Sequence, residues 1–130
     1  MTALSSCLRK ALLADAVVSG AASLAMIAGA DFTYDLLGLP SALLFWAGVA
    51  SITFVTLLAM MVRAGRAPGS LIVAVIVTHL AWVAGSLFAA FGPAFAPSLL
   101  GQVFVVKQAA IVGVFAQLQI VGLRRAGATA

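Results

Sequence analysis

Residues 70–91 read SLIVAVIVTHLAWVAGSLFAAF, and this stretch decides the fold of the chain. It contains 22 residues without a single Asp, Glu, Lys or Arg. A helix rises about 1.5 Å per residue, so this stretch would span about 33 Å, enough to cross a bilayer core of about 30 Å. We therefore predict that residues 70–91 form a transmembrane helix.

Three other apolar runs lie on either side of this stretch, at about residues 11–30, 41–62 and 98–123. Hydrophobic residues make up 65% of the chain and charged residues 8%, whereas soluble domains contain about 25% charged residues. A soluble core of 130 residues could not cover so much apolar surface, so lipid must be the solvent. We predict one all-α domain over residues 1–130, an up-down bundle of four transmembrane helices.

The basic residues lie in alternate gaps between the runs. Six of the seven form three pairs outside the runs: Arg9 and Lys10, Arg63 and Arg66, Arg124 and Arg125. The other two gaps hold neither Lys nor Arg. Because loops rich in these residues stay cytoplasmic, we expect both termini in the cytoplasm and the chain in a bacterial inner membrane. The net charge of +4 then faces anionic lipid, and no aromatic residues are interleaved with it to indicate nucleic-acid binding.

A first candidate site surrounds Asp15, the only acidic residue inside a run. Ser19 follows one helical turn later on the same face. Counted from the start of the run, Asp15 lies about 6 Å deep, and Gln117 and Gln119 in the fourth run reach a similar depth. We expect one of these glutamines to donate a hydrogen bond to Asp15. The carboxylate is either a structural acceptor or a proton or ion site.

A second candidate site, in the outer half of the bundle, consists of Lys107, Trp82, His79 and Gln108. Lys107 differs from Asp15 in depth by about 18 Å, so the two should not pair within one chain. A cation–π contact with Trp82 is expected for Lys107, unless the lysine only snorkels or binds a ligand or partner. His79 should be a satisfied core group near the midplane, far from any acid.

The sequence indicates no cofactor, metal or catalytic triad. His79 is the only histidine and Cys7 the only cysteine, which excludes haem held by two histidines and any intrachain disulfide. One His, one Cys and one Asp on separate runs do not have the spacing of metal ligands. We therefore expect a protein that is not an enzyme.

The segments LLAD (12–15), HLAWVAGS (79–86) and GLRR (122–125) resemble small four-helix bacterial membrane proteins of uncharacterised role. The layout is also similar to that of small multidrug resistance exporters, which have four helices and one carboxylate early in the first. That resemblance implies a role for Asp15 like that of the family's glutamate, and for Trp82 like that of a pocket-lining tryptophan. The acid here is Asp, however, and Lys107 interrupts the helix through which that family dimerises.

Two functions follow as hypotheses. The first is a non-enzymatic accessory or scaffold protein, acting as a homo-oligomer or as a subunit of a membrane complex. The alternative is a proton- or ion-coupled transporter of small solutes that uses Asp15. The N-terminus also resembles a signal peptide, with Ala28-Gly29-Ala30 as the cleavage site. Cleavage there would leave three helices and remove Asp15.

Overall fold

A computed structural model describes the backbone of residues 2–129 and the side chains of residues 3–31 and 34–125. Its elements, in chain order, are β1 (Thr2–Ala3), α1 (Ser6–Leu37), α2 (Ser41–Ala64), β2 (Arg66–Ala67), α3 (Gly69–Phe91) and α4 (Leu99–Thr129). All four helices are long and apolar enough to cross a membrane. The prediction of an all-α bundle of four such helices is confirmed.

Helix α1 is longer at both ends than the apolar run suggested. Ser5 caps its N-terminus by accepting a hydrogen bond from the backbone nitrogen of Leu8 at 3.1 Å, as serine commonly does at this position. At the other end Gly38 adopts a left-handed conformation (φ 67°) and donates to the carbonyl of Tyr34 at 2.9 Å. The helix therefore includes the exposed Arg9 and Lys10 and runs through residues 28–30 without a break.

Successive helices run antiparallel, so both ends of the chain lie at one end of the bundle. Leu8 of α1 lies against Gly122 of α4 at this end. The short strands β1 and β2 pair antiparallel there as well, and they tie the N-terminus to the connection between α2 and α3. At the far end, the backbone nitrogen of Ser98 donates to the carbonyl of Leu37 at 3.0 Å. We call these the termini end and the far end.

The helices pack unevenly around the bundle. α1 packs against α2 and α4, and α3 packs against α4. α2 and α3 follow each other in the chain but approach less closely than these three pairs. Side chains of α2 and α3 still pack together at the termini end, where Leu58 and Met61 share a cluster with Ile72. The gap between the two helices is therefore confined to the far half of the bundle.

The buried apolar side chains form two clusters separated along the bundle axis. The cluster at the termini end contains Leu8, Leu12, Ala16, Leu58, Met61, Val62, Ala67, Ile72, Val75 and Ile76. The cluster at the far end contains Ala30, Leu37, Leu39, Leu44, Ala90 and Val105. The buried polar side chains Asp15, Ser23, His79 and Gln119 are not members of either cluster.

The contact between α1 and α2 depends on Gly48. A Cβ atom at this position would lie 2.7 Å from Cγ1 of Ile27 and 3.0 Å from the carbonyl oxygen of Ser23. In contrast, a Cβ atom on Gly113 of α4 would meet nothing within 4 Å.

We expect Gly48→Ala to destabilise the bundle by about 1–3 kcal/mol, because the added methyl group forces α1 and α2 apart. Gly113→Ala should instead stabilise it by up to about 1 kcal/mol through helix propensity alone. Unfolding of both purified variants in the same detergent compares them directly. Equal stability of the two variants would contradict the close contact at Gly48.

Candidate functional site

Asp15 is fully buried and contacts polar side chains from three helices. Its Oδ2 atom lies 2.7 Å from Nε2 of His79 on α3 and accepts a hydrogen bond of 2.8 Å from Nε2 of Gln119 on α4. Its Oδ1 atom accepts a hydrogen bond of 2.8 Å from the hydroxyl group of Ser19 on α1. The carboxyl group is therefore surrounded by donors from α1, α3 and α4.

The hydrogen bonds of His79 determine how many protons this pair holds. Its Nδ1 atom lies 2.8 Å from the carbonyl oxygen of Val75, which can only accept, so Nδ1 carries a hydrogen. The 2.7 Å contact between Nε2 and Oδ2 then needs a second proton, because a bare ring nitrogen and a carboxylate oxygen would repel each other. Asp15 and His79 therefore share one proton, placed either on the ring or on the carboxyl group.

The shared proton makes the pair electrically neutral as a whole. With the proton on the ring, an imidazolium lies beside a carboxylate. With the proton on the oxygen, a carboxylic acid donates to a neutral ring. Both arrangements avoid an isolated charge, which is costly in the core of a membrane. The ring of Phe54 packs edge-on against His79 with the centroids 5.1 Å apart and limits the orientations of the imidazole.

The expected hydrogen bond between Asp15 and Gln119 is present, whereas Gln117 is exposed. The expected separation of His79 from Asp15 is wrong. The apolar run begins at residue 11, but α1 begins at Ser6, so Asp15 lies deeper in its helix than the run indicates. Asp15 lies nine residues into α1 and His79 ten residues into α3, so both are about 14–15 Å from the start of their helices.

In the half of the bundle nearer the far end, polar groups form a separate hydrogen-bonded chain between α3 and α4. The indole nitrogen of Trp82 donates to Oε1 of Gln108 at 2.8 Å, and Nε2 of Gln108 donates to the hydroxyl oxygen of Ser86 at 2.8 Å. Lys107 is exposed on the neighbouring face of α4. The ring contacts within residues 3–31 and 34–125 include no cation–π pair of Lys107 with Trp82, so the structure does not bear out that expected contact.

Two cavities lie next to these polar groups. The inner cavity has a volume of about 220 Å³, and Ser19, Ser51, Phe54, His79, Trp82 and Gln108 are among its lining residues. The outer groove has a volume of about 430 Å³ and lies between α2, α3 and α4. Met26, Thr78, Trp82 and Gln108 line both. Two residues of the Asp15 network, Ser19 and His79, therefore also form part of a cavity wall.

Two neighbours of His79 carried no signal in the sequence. Phe54 is one of eight phenylalanines in an apolar chain, and Val75 contributes only its backbone carbonyl oxygen. Within the described part of the chain, no group of three His, Cys, Asp or Glu side chains could hold a metal ion. Asp15 and His79 alone offer two protein ligands, fewer than the three or four of zinc sites.

No protein-family profile, curated protein or solved structure matches the chain. The resemblances to small four-helix membrane proteins and to small multidrug resistance exporters are therefore neither supported nor opposed by a matched relative. The function has to be inferred from the chemistry of Asp15, His79 and the adjoining cavity.

We expect Asp15→Asn to fold with a stability within about 1 kcal/mol of the wild type. The amide nitrogen would donate one hydrogen to Nε2 of a neutral His79. The buried Oε1 atom of Gln119 has no hydrogen-bond partner. If the side-chain amide of Gln119 rotates by about 180°, Oε1 takes the place of Nε2 and accepts the second hydrogen of the asparagine amide. The asparagine oxygen would still accept from Ser19. Thermal unfolding in detergent measures the change.

Asp15→Leu is the matched comparison and should destabilise the protein by about 3–5 kcal/mol. It leaves the buried polar atoms of His79 and Gln119 without their common partner. If leucine is tolerated as well as asparagine, the hydrogen bonds of Asp15 do not stabilise the bundle.

Proposed function

We propose that this chain is a multi-pass protein of a bacterial inner membrane that couples a proton held by Asp15 and His79 to a small solute held in the inner cavity. Its role is transport and not catalysis. The observation that carries the proposal is the 2.7 Å contact between Nε2 of His79 and Oδ2 of Asp15, two ionisable groups that are both buried within the helices. Ionisable residues at such positions are rare and are commonly part of ion or proton pathways.

The coupling follows from side chains that serve both sites. Ser19 donates a hydrogen bond to Asp15 and also lines the inner cavity. The ring of His79 contacts Asp15 and lines the same cavity. A solute that changes the position of either side chain changes how tightly the pair holds its shared proton, so that the pair releases the proton to water or takes it up again. By thermodynamic linkage, gain or loss of that proton changes the affinity for the solute by the same factor.

The orientation we propose has the termini end in the cytoplasm. The paired basic residues all lie at this end, in the first turns of α1, the last turn of α2, β2 and the end of α4. Such residues remain on the cytoplasmic side during insertion and attract anionic lipid headgroups. The far end carries Asp31 and Asp35 and no Lys or Arg.

A second proposal, that the chain is also a subunit of an oligomer or membrane complex, is favoured by Lys107. This side chain is exposed eight residues after the start of α4, about 12 Å along the helix. It forms no ion pair with any residue that the structure describes. A charged side chain facing hydrocarbon costs about 2.5–3.5 kcal/mol on insertion scales, and a partner with a carboxylate would remove that cost.

Proton movement in proteoliposomes tests the first proposal. The vesicles contain a trapped pH dye, and potassium with valinomycin holds the membrane potential at zero while a pH gradient is imposed. Para-nonylphenol and tetraphenylphosphonium serve as a neutral and a cationic solute. We expect at least one of them to raise proton movement above that of protein-free vesicles.

Asp15→Asn and His79→Gln should abolish the stimulated movement, because neither amide side chain can take up the shared proton. Gln117→Leu is the control, since Gln117 is exposed and lies outside the Asp15 network. If the wild type moves no more protons than empty vesicles with either solute, the transport proposal is wrong and the scaffold function is favoured.

Lys107→Met tests the second proposal, since it removes the charge and keeps most of the volume of the side chain. If Lys107 binds a partner's carboxylate, native mass spectrometry in mild detergent should show loss of the oligomer or of a co-purifying subunit. If Lys107 only snorkels, the assembly should be unchanged and the variant at least as stable as the wild type. That second result would contradict the complex.

A further inference from the structure

We infer that the inner cavity and the outer groove form one binding site for a neutral amphiphile. Its head is a single ring with one hydroxyl or carbonyl oxygen, and its tail is apolar. The inference names the solute class of the proposed function and rests on that proposal only for the coupling to a proton. Binding itself follows from the size, charge and hydrogen bonds of the cavity.

The size of the inner cavity suits one substituted ring. Its volume is about 220 Å³, and an engineered apolar cavity of about 150 Å³ in another protein holds benzene. Phe54 and Trp82 contribute aromatic walls. Aromatic side chains stack against flat molecules or meet them edge to face, so a ring fits these walls better than a branched chain does.

Nearly every polar donor on the cavity wall is already engaged within the protein. Ser19, Thr78, His79 and Trp82 are bonded within the protein, and Gln108 donates one of its two amide hydrogens to Ser86. The hydroxyl group of Ser51 makes no hydrogen bond with the residues that the structure describes. A ligand therefore finds the hydroxyl group of Ser51 and the second amide hydrogen of Gln108, and a single oxygen acceptor on its head can accept from either or both.

The charge of the lining favours a neutral ligand. Neither the inner cavity nor the outer groove is lined by Asp, Glu, Lys or Arg. The carboxyl group of Asp15 is not part of the wall, and its oxygens are occupied by His79, Gln119 and Ser19. A charged head would lose its hydration without meeting an opposite charge, which costs several kcal/mol or more.

The outer groove accounts for the tail. It has a volume of about 430 Å³ and is lined mainly by apolar side chains, among them Leu39, Leu43 and Phe104. Trp82 and Gln108 line both spaces and are hydrogen-bonded to each other. The two side chains lie where the ring of the head would meet the tail, and the groove lies in the gap between α2 and α3.

Fluorescence of Trp82 in nanodiscs, at one pH throughout, measures binding. Trp46 is exposed and lines neither space, so Trp46→Phe leaves Trp82 as the only tryptophan. The probes are para-nonylphenol, nonylbenzene and (para-nonylphenyl)trimethylammonium. We expect a saturable change with the phenol, binding of nonylbenzene that is weaker by roughly five- to ten-fold, and no saturable change with the cation.

Two substitutions in this background locate the site. Ser51→Ala should weaken binding of the phenol by roughly five-fold and leave nonylbenzene unchanged, because only the phenol uses the hydroxyl group. Gly85→Phe should weaken binding of both by at least about ten-fold, because its ring fills the groove that Gly85 lines.

Gly113→Phe is the matched control for the groove. A Cβ atom added at Gly85 or at Gly113 would meet nothing within 4 Å. Gly113 lines neither the inner cavity nor the outer groove, so Gly113→Phe should bind the probes like the parent. Ala89→Phe fills the same groove from another position on α3 and replaces Gly85→Phe if that variant does not fold.

The inference is overturned if the cation binds as tightly as the phenol, or if the groove and control substitutions weaken binding equally. It is also overturned if Ser51→Ala leaves the affinity for the phenol unchanged. Since no pH gradient is used, the result is independent of coupling. Saturable binding of the phenol, with equal proton movement in wild type and Asp15→Asn, would retain this site and refute the proposed transport.

Discussion

The proton shared by Asp15 and His79 is the interaction on which the interior of the bundle depends. Water cannot solvate a carboxylate in the core of a membrane, so the charge has to be neutralised by the protein. The carbonyl oxygen of Val75 occupies Nδ1 of His79 and leaves Nε2 facing Asp15. With Gln119 and Ser19 as further donors, this one carboxyl group sets the level at which α1, α3 and α4 meet.

The same network is placed where it can respond to a bound molecule. An apolar cluster closes the bundle at each end, and the inner cavity lies between them beside Ser19 and His79. In the far half, the gap between α2 and α3 leaves the outer groove beside Trp82 and Gln108. A neutral ligand that moves from lipid through the outer groove to the ring of His79 would pass no Asp, Glu, Lys or Arg side chain.

The proposed transport and the proposed assembly would use different surfaces of this chain. The Asp15 network and both cavities are built from residues that face the bundle interior or the gap between α2 and α3. Lys107 is exposed on α4, outside both cavities. A partner that neutralises Lys107 would therefore leave the inner cavity free, so the two proposals do not exclude each other.

The number, type and approximate length of the helices were determined by the sequence itself. A membrane core has a set thickness and no water for backbone groups, so runs of about 20 apolar residues are typical of spanning helices. Depth along a helix could also be counted, which correctly matched Asp15 with Gln119. The expected difference in depth between Asp15 and His79 was wrong, because hydropathy detects the apolar run, whereas the cap at Ser5 decides where α1 begins.

Rotation about each helix axis was decided only by tertiary packing, since every face of these helices is apolar. That rotation buries Gln119 and exposes Gln117. It also turns Trp82 toward Gln108 and not toward Lys107.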